Sequence, residues 1–126
     1  MHKLVAPLRV PQSKSKDFLL NLNAYRNAHH MVLNKTKVEF KEAMREQIET
    51  LPVMERVRLT YVLYVGSNRR CDLTNMISVI DKYFEDALVE LGKLPDDNFN
   101  YVPELVFRFG NVDPMNPRVE IFIEEL

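Results

Sequence analysis

The chain has 126 residues, of which 46% are hydrophobic and 28% charged, with a net charge of −1 and a single cysteine. That length suits one domain around one core, and the lone Cys71 excludes an intrachain disulfide, as expected of a reducing cytoplasm. The near-neutral charge argues against an indiscriminate polyanion binder, no apolar run approaches the roughly 18–20 residues that cross a bilayer, and MHKLVAPLRVPQ meets proline too early for a secretory signal.

KLVAPLRV reads as a short strand stopped by Pro11. Residues 12–35, rich in Ser, Lys and Asn, show no sustained period and read as an extended, loop-rich excursion. Loops of that length are usually functional or disordered, which points to Asn23–His30 as a functional or interfacial part. Thr36 and Glu39 have capping-box spacing and should open a helix with Phe40, Met44, Ile48 and Leu51 along one stripe, ended by Pro52. RVRLTYVLYV, Arg56 to Val65, is β-branched, aromatic and partly alternating, so it is a strand that Gly66 and Ser67 break. From Leu73 to Leu91 the positions Met76, Ile77, Ile80, Tyr83, Phe84, Ala87 and Leu88 keep helical spacing, and Gly92 is a plausible stop. A turn-rich KLPDDNFN leads to YVPELVFRFG and then PRVEIFIEEL, both strands, the last alternating at Val119, Ile121 and Ile123. The expectation is a single α/β (α+β) domain over residues 1–126, a mixed sheet packed with two main helices.

Charge is unevenly spread. Residues 1–50 carry nine Lys/Arg against five Asp/Glu, and residues 51–126 carry eight against thirteen. A basic front and an acidic rear are compatible with a nucleic-acid surface beside a carboxylate metal site, and equally with solvated faces. Two joints gather chemistry-bearing side chains: Asp72 with Asn75 before the long helix, and Asp96–Asp97–Asn98 after it. An antiparallel return from helix to strand would bring them together. Magnesium takes oxygen ligands and one or two carboxylates directly, and arginines beside it bind phosphates bidentately. The same residues also suit plainer roles, Asp72 as a helix N-cap and PDDN as an ordinary turn. His29–His30 lack the helical spacing of a ligand pair and read as surface residues, and Cys71, with no catalytic partner in view, as a buried, inert thiol. With only Gly66, Gly92 and Gly110 there is no glycine-rich phosphate loop and no sign of an organic cofactor.

RRCDLTN, the helix ending EDALVELG, then LPDDNFNYVPELVFRFG and PRVEIFIEE resemble, in their joint order, the RusA-type Holliday-junction resolvases of bacteria and phages. The resemblance covers roughly Val57 to Glu124, and LNAYRN is similar to a Tyr-Arg segment that follows the first strand in that family. It implies a cytoplasmic α/β homodimer that binds four-way DNA junctions and cuts them with Mg²⁺ or Mn²⁺ during recombination and repair. Carried over residue by residue, Asp72, Asp96 and Asp97 would hold the metal and serve catalysis, while Arg69, Arg70, Arg26 and Asn75 would contact DNA. Two positions depart from the family pattern: Thr74 stands where a second aspartate is expected, and Ser78 where a lysine is. Losing a carboxylate weakens the hold on a hard cation, so the alternative is a relative that binds branched DNA or a protein partner without cutting.

Overall fold

The computed structural model describes all 126 residues and is mixed α+β. In chain order it has β1 (His2–Ala6), β2 (Arg9–Pro11), β3 (Asp17–Leu19), α1 (Leu22–Asn27), α2 (His30–Glu49), β4 (Val57–Val65), α3 (Leu73–Glu90), β5 (Glu104–Val112) and β6 (Arg118–Glu125). The main sheet has the order β1-β6-β4-β5, while β2 and β3 form a separate hairpin. No helix is long and apolar enough to cross a membrane.

Strict alternation builds the sheet. Along β4 the odd positions Val57, Leu59, Tyr61, Leu63 and Val65 are buried and the even ones half-buried. That period of two turns one face of the strand to the core and the other toward water. Val119, Ile121 and Ile123 of β6 and Leu4 and Ala6 of β1 extend the apolar face. Opposite it the sheet carries ion pairs: Arg58 holds Glu104 and Glu124 (2.7 and 2.6 Å), and Arg118 holds Asp113 and Glu120 (2.8 and 3.0 Å).

α2 and α3 cover the apolar face. The expected stripe Phe40, Met44, Ile48 and Leu51 is buried, as are Ile77, Ile80, Tyr83, Phe84, Ala87 and Leu88 of α3. Tyr61 sits edge-on to both Phe84 and Phe107, at centroid distances of 6.4 and 5.6 Å. Such aromatic pairs contribute about 0.5–1.5 kcal/mol beyond the area they bury. α3 ends as its sequence predicts. Gly92 takes φ +76°, its N–H donates to Val89 O (3.1 Å) and that of Lys93 to Leu88 O (2.8 Å), the paired closure that a left-handed glycine permits.

The front of the chain differs from expectation. Residues 12–35 are not one loop, because they contain β3, α1 and the first part of α2. α2 starts at His30, with His29 as N-cap and its Nδ1 accepting from the Met31 N–H (3.1 Å). Thr36 therefore caps nothing: it lies inside the helix, fully buried, with Oγ1 3.0 Å from the Tyr83 hydroxyl. This buried polar link between the two helices replaces the capping role that its spacing with Glu39 suggested. The opening KLVAPLRV is likewise two strands, β1 and β2, separated at Pro7–Leu8.

β5 pairs with β4 in parallel, whereas β4–β6 and β1–β6 are antiparallel. α3 is thus a crossover between parallel neighbours, and the end of β4 and the start of β5 lie at opposite ends of the sheet. This one pairing decides the geometry of the site.

Candidate nucleic-acid interface at the start of α3

At the carboxyl ends of β4 and β5 lies an open cleft of about 1070 Å³. In sheets with parallel strands this end is where ligands commonly bind, because the loops there diverge around the start of the next helix. Its lining includes Arg69, Arg70, Asp72 and Asn75 from the β4–α3 joint, with Asn21 and Asn23 from the start of α1. The contiguous part of the expected constellation is therefore gathered in one place. Arg26 sits on the last turn of α1, exposed and outside the lining.

Arg69 and Arg70 are exposed and form no ion pair, in contrast with Arg45, Arg58 and Arg118, each of which is held by two carboxylates. Asp72 occupies the N-cap position of α3, with extended backbone (φ −88°, ψ 135°), yet its side chain makes no capping bond and only its carbonyl accepts from Met76 N–H. No acidic residue stands in the first turn. The first amides of this 18-residue helix consequently have no side-chain partner and carry the positive end of the helix dipole beside the cleft. Two free guanidiniums and open amides suit an anion such as phosphate. Thr74 is exposed, and the Ser78 hydroxyl donates back to Thr74 O (2.6 Å). Cys71 is exposed beside Asp72 in the lining, not buried as its type suggests, because the joint reaches out from the sheet end.

The second joint is elsewhere. Eighteen residues of α3 at about 1.5 Å each put roughly 27 Å between the Asp72 end and the Asp96–Asp97 end. The expected convergence of Asp72 with Asp96 and Asp97 does not occur within one chain: α3 and β5 do run antiparallel, but Asp96 and Asp97 lie in the turn that directly follows the carboxyl end of α3, and Asp72 stands at its amino end. Asp96 spends both oxygens locally: Oδ1 accepts from Asp97 N–H (2.8 Å) and Oδ2 from the Asn98 amide (3.0 Å). The Asp97 N–H bond and its neighbours hold Asp96 below the usual carboxylate range, while partial burial and then Asp96 raise Asp97. This is turn chemistry. Nowhere does the chain gather three His, Cys, Asp or Glu side chains as a metal site. The residues of one chain therefore do not fit the divalent ion that the family resemblance implies.

Sequence reasoning missed Glu85. It is only 7% exposed on the core-facing side of α3, one turn from Asp81, which accepts the Tyr61 hydroxyl at 2.7 Å. Burial, then Asp81, then Asp97 push its carboxyl up to about 10, so it is protonated at neutral pH. The available signal was a glutamate set between Phe84 and Ala87 on the apolar stripe. Asn21 was missed too: it caps α1, with Oδ1 accepting from Ala24 N–H at 2.9 Å, and borders the cleft. His29 and His30 stack at 4.2 Å, both exposed, outside this lining.

No protein-family model matches the chain, and no curated protein matches it either.

Proposed function

We propose that this protein binds the phosphate backbone of branched DNA through the cleft at the start of α3. The observation that carries the reading is the pairing of two uncommitted arginines, Arg69 and Arg70, with the open amino end of α3 in one cleft. Phosphate contacts of this kind supply affinity and orientation. The preference for a four-way junction over plain duplex comes from the family resemblance, as does assembly into a homodimer. Asn75, Asn21 and Asn23 add neutral donors around the same cleft. Titrating a labelled four-way junction and a duplex of equal length, at fixed salt, tests it by fluorescence anisotropy. Tighter binding of the junction is expected; equal affinity for both, or no binding at low salt, would refute the reading.

The second reading is metal-dependent cleavage of such junctions. Its support is Asp72, whose carboxylate is exposed, free of capping duty and set beside the arginines. Against it stand the separation of Asp96 and Asp97 from Asp72 and the Thr74 departure. Binding without cutting is therefore the reading the geometry of a single chain supports best. Incubating the junction with protein and Mg²⁺ or Mn²⁺ decides between the two: cleavage that Asp72→Asn abolishes favours the nuclease.

A further inference from the structure

The lining of the cleft at the carboxyl ends of β4 and β5 has two chemistries, and phosphate accounts for only one. Arg69, Arg70 and the amino end of α3 make up the charged part. The rest includes apolar side chains from three elements: Phe109 of β5, Leu19 of the β2–β3 hairpin and Met76 of α3. Phe109 stands opposite buried Leu63 in the β4–β5 register, on the same face as Phe107. Phe107 packs edge-on against Tyr61 at the margin of the core, whereas Phe109 is left 55% exposed, and Leu19 41%. A phosphate group has no use for such surface.

Side-chain amides accompany the apolar groups. Asn21 spends its Oδ1 on the Ala24 N–H (2.9 Å) and keeps its amino group, and Asn75 brings a second amide to the same lining. An amide holds donors and an acceptor in one plane, which matches the polar edge of a nucleobase. A ligand that meets all three features carries an anion at one end and a flat apolar body with polar edges. A nucleotide has that form. Within a duplex the faces of the bases are stacked on one another, so an aromatic side chain reaches them only in a single strand or where the stack is broken. At about 1070 Å³ the cleft exceeds the roughly 300–1,000 Å³ of common small-ligand sites, which leaves room for a nucleotide together with the strand on either side of it.

We infer that the cleft seats one unstacked nucleotide of a DNA strand. Its base lies against Phe109, its phosphate on Arg69 and Arg70, and the amides of Asn21 and Asn75 meet the base edge. The inference rests on the phosphate-binding reading above and names the part of the DNA that enters: an unpaired base, not the backbone alone. It also gives a physical cause for preferring a branch to a duplex, since a base is taken from an interrupted stack at less cost than from a continuous one.

A short single strand and an abasic strand of equal length separate base from phosphate, because both carry the same charge. By fluorescence anisotropy at fixed salt, the strand with bases should bind about tenfold tighter. Phe109→Ala, at an exposed site, should remove that advantage and leave the salt dependence unchanged, whereas Arg69→Ala with Arg70→Ala should weaken both strands alike. The chain has no tryptophan, so Phe109→Trp supplies a single reporter. Its emission should be quenched by the strand with bases and not by the abasic one. Equal affinity for the two strands, an advantage that survives Phe109→Ala, or an unquenched indole overturns the inference, and does so even where both strands bind through the arginines and the phosphate reading stands. Free deoxyadenosine monophosphate binding as tightly as the strand also overturns it, since the ligand is then not a strand. Equal affinity for junction and duplex alongside base-dependent binding of the single strand has the opposite meaning: it refutes the branched-DNA reading and upholds the base site.

Discussion

The two ends of α3 are built on opposite plans. At its carboxyl end the chain is closed by local bonds: Gly92 turns the chain, Lys93 N–H closes on Leu88, the Lys93 ammonium donates to Leu51 O (2.7 Å), and Asp96 bonds its own turn. At its amino end an aspartate stands in the capping position without capping, beside two arginines without carboxylates. The same residue type, Asp, is spent on local structure at one end and left free at the other. A side chain withheld from an available bond is more informative about function than one that has found its partner. The comparison separates the end that stabilises the helix from the end that presents it.

The sharpest way to break this contrast is at the amino end. Arg69→Ala with Arg70→Ala should weaken junction binding by about a hundredfold and lower the salt dependence of affinity by about two counterions, with the fold unchanged by circular dichroism. An unaltered salt slope would show that the arginines meet no phosphate.

Next comes Glu85, midway along the helix. Its folded pKa, about 10, lies above the ordinary 4.5, so the folded state holds the extra proton between those values. Stability from this group is therefore fully present below pH 4.5 and is lost as pH rises toward 10. Thermal melts should show Tm falling steadily between pH 6 and 9.5, and Glu85→Gln should remove most of that fall. A flat profile in the wild type would mean the carboxyl finds solvent or a counterion.

Smaller effects test each end directly. Gly92→Ala must place a Cβ at φ +76° and should cost about 1 kcal/mol, measured by urea denaturation. Asp72→Ala should cost less than about 0.5 kcal/mol, below the usual loss on removing an N-cap, because no capping bond exists to lose. If the two substitutions cost the same, the distinction between the ends fails.

What was legible in the sequence follows from how local each signal is. β4, α3 and β6 announce themselves because alternation or helical spacing runs their whole length and each buries one face. The start of α2 is harder to read: His30, Met31, Asn34 and Lys35 are exposed, and only Val32 and Leu33 of residues 30–35 pack against the core. Two apolar residues are too short a stripe to announce a helix, and these turns are held by the packed part of α2 that follows. The site divides in the same way. Arg69, Arg70, Asp72 and Asn75 are neighbours in sequence and remain neighbours in space. Asp96 and Asp97 are held apart from Asp72 by the whole length of α3, since they sit in the turn that follows its carboxyl end.

The place of β6 has a consequence for how the molecule comes into being. It pairs with β1 on one side and β4 on the other, although it follows both in the chain. Until residues 118–125 have left the ribosome, β1 has no neighbour in the main sheet and β4 has only β5. Folding cannot advance strand by strand with synthesis. The apolar faces of β1 and β4 must wait, exposed or loosely collapsed, for the segment that joins them, and sheet formation becomes one late, long-range event. A nascent chain halted before Arg118 should be a good chaperone client, and one that has passed Glu125 should not.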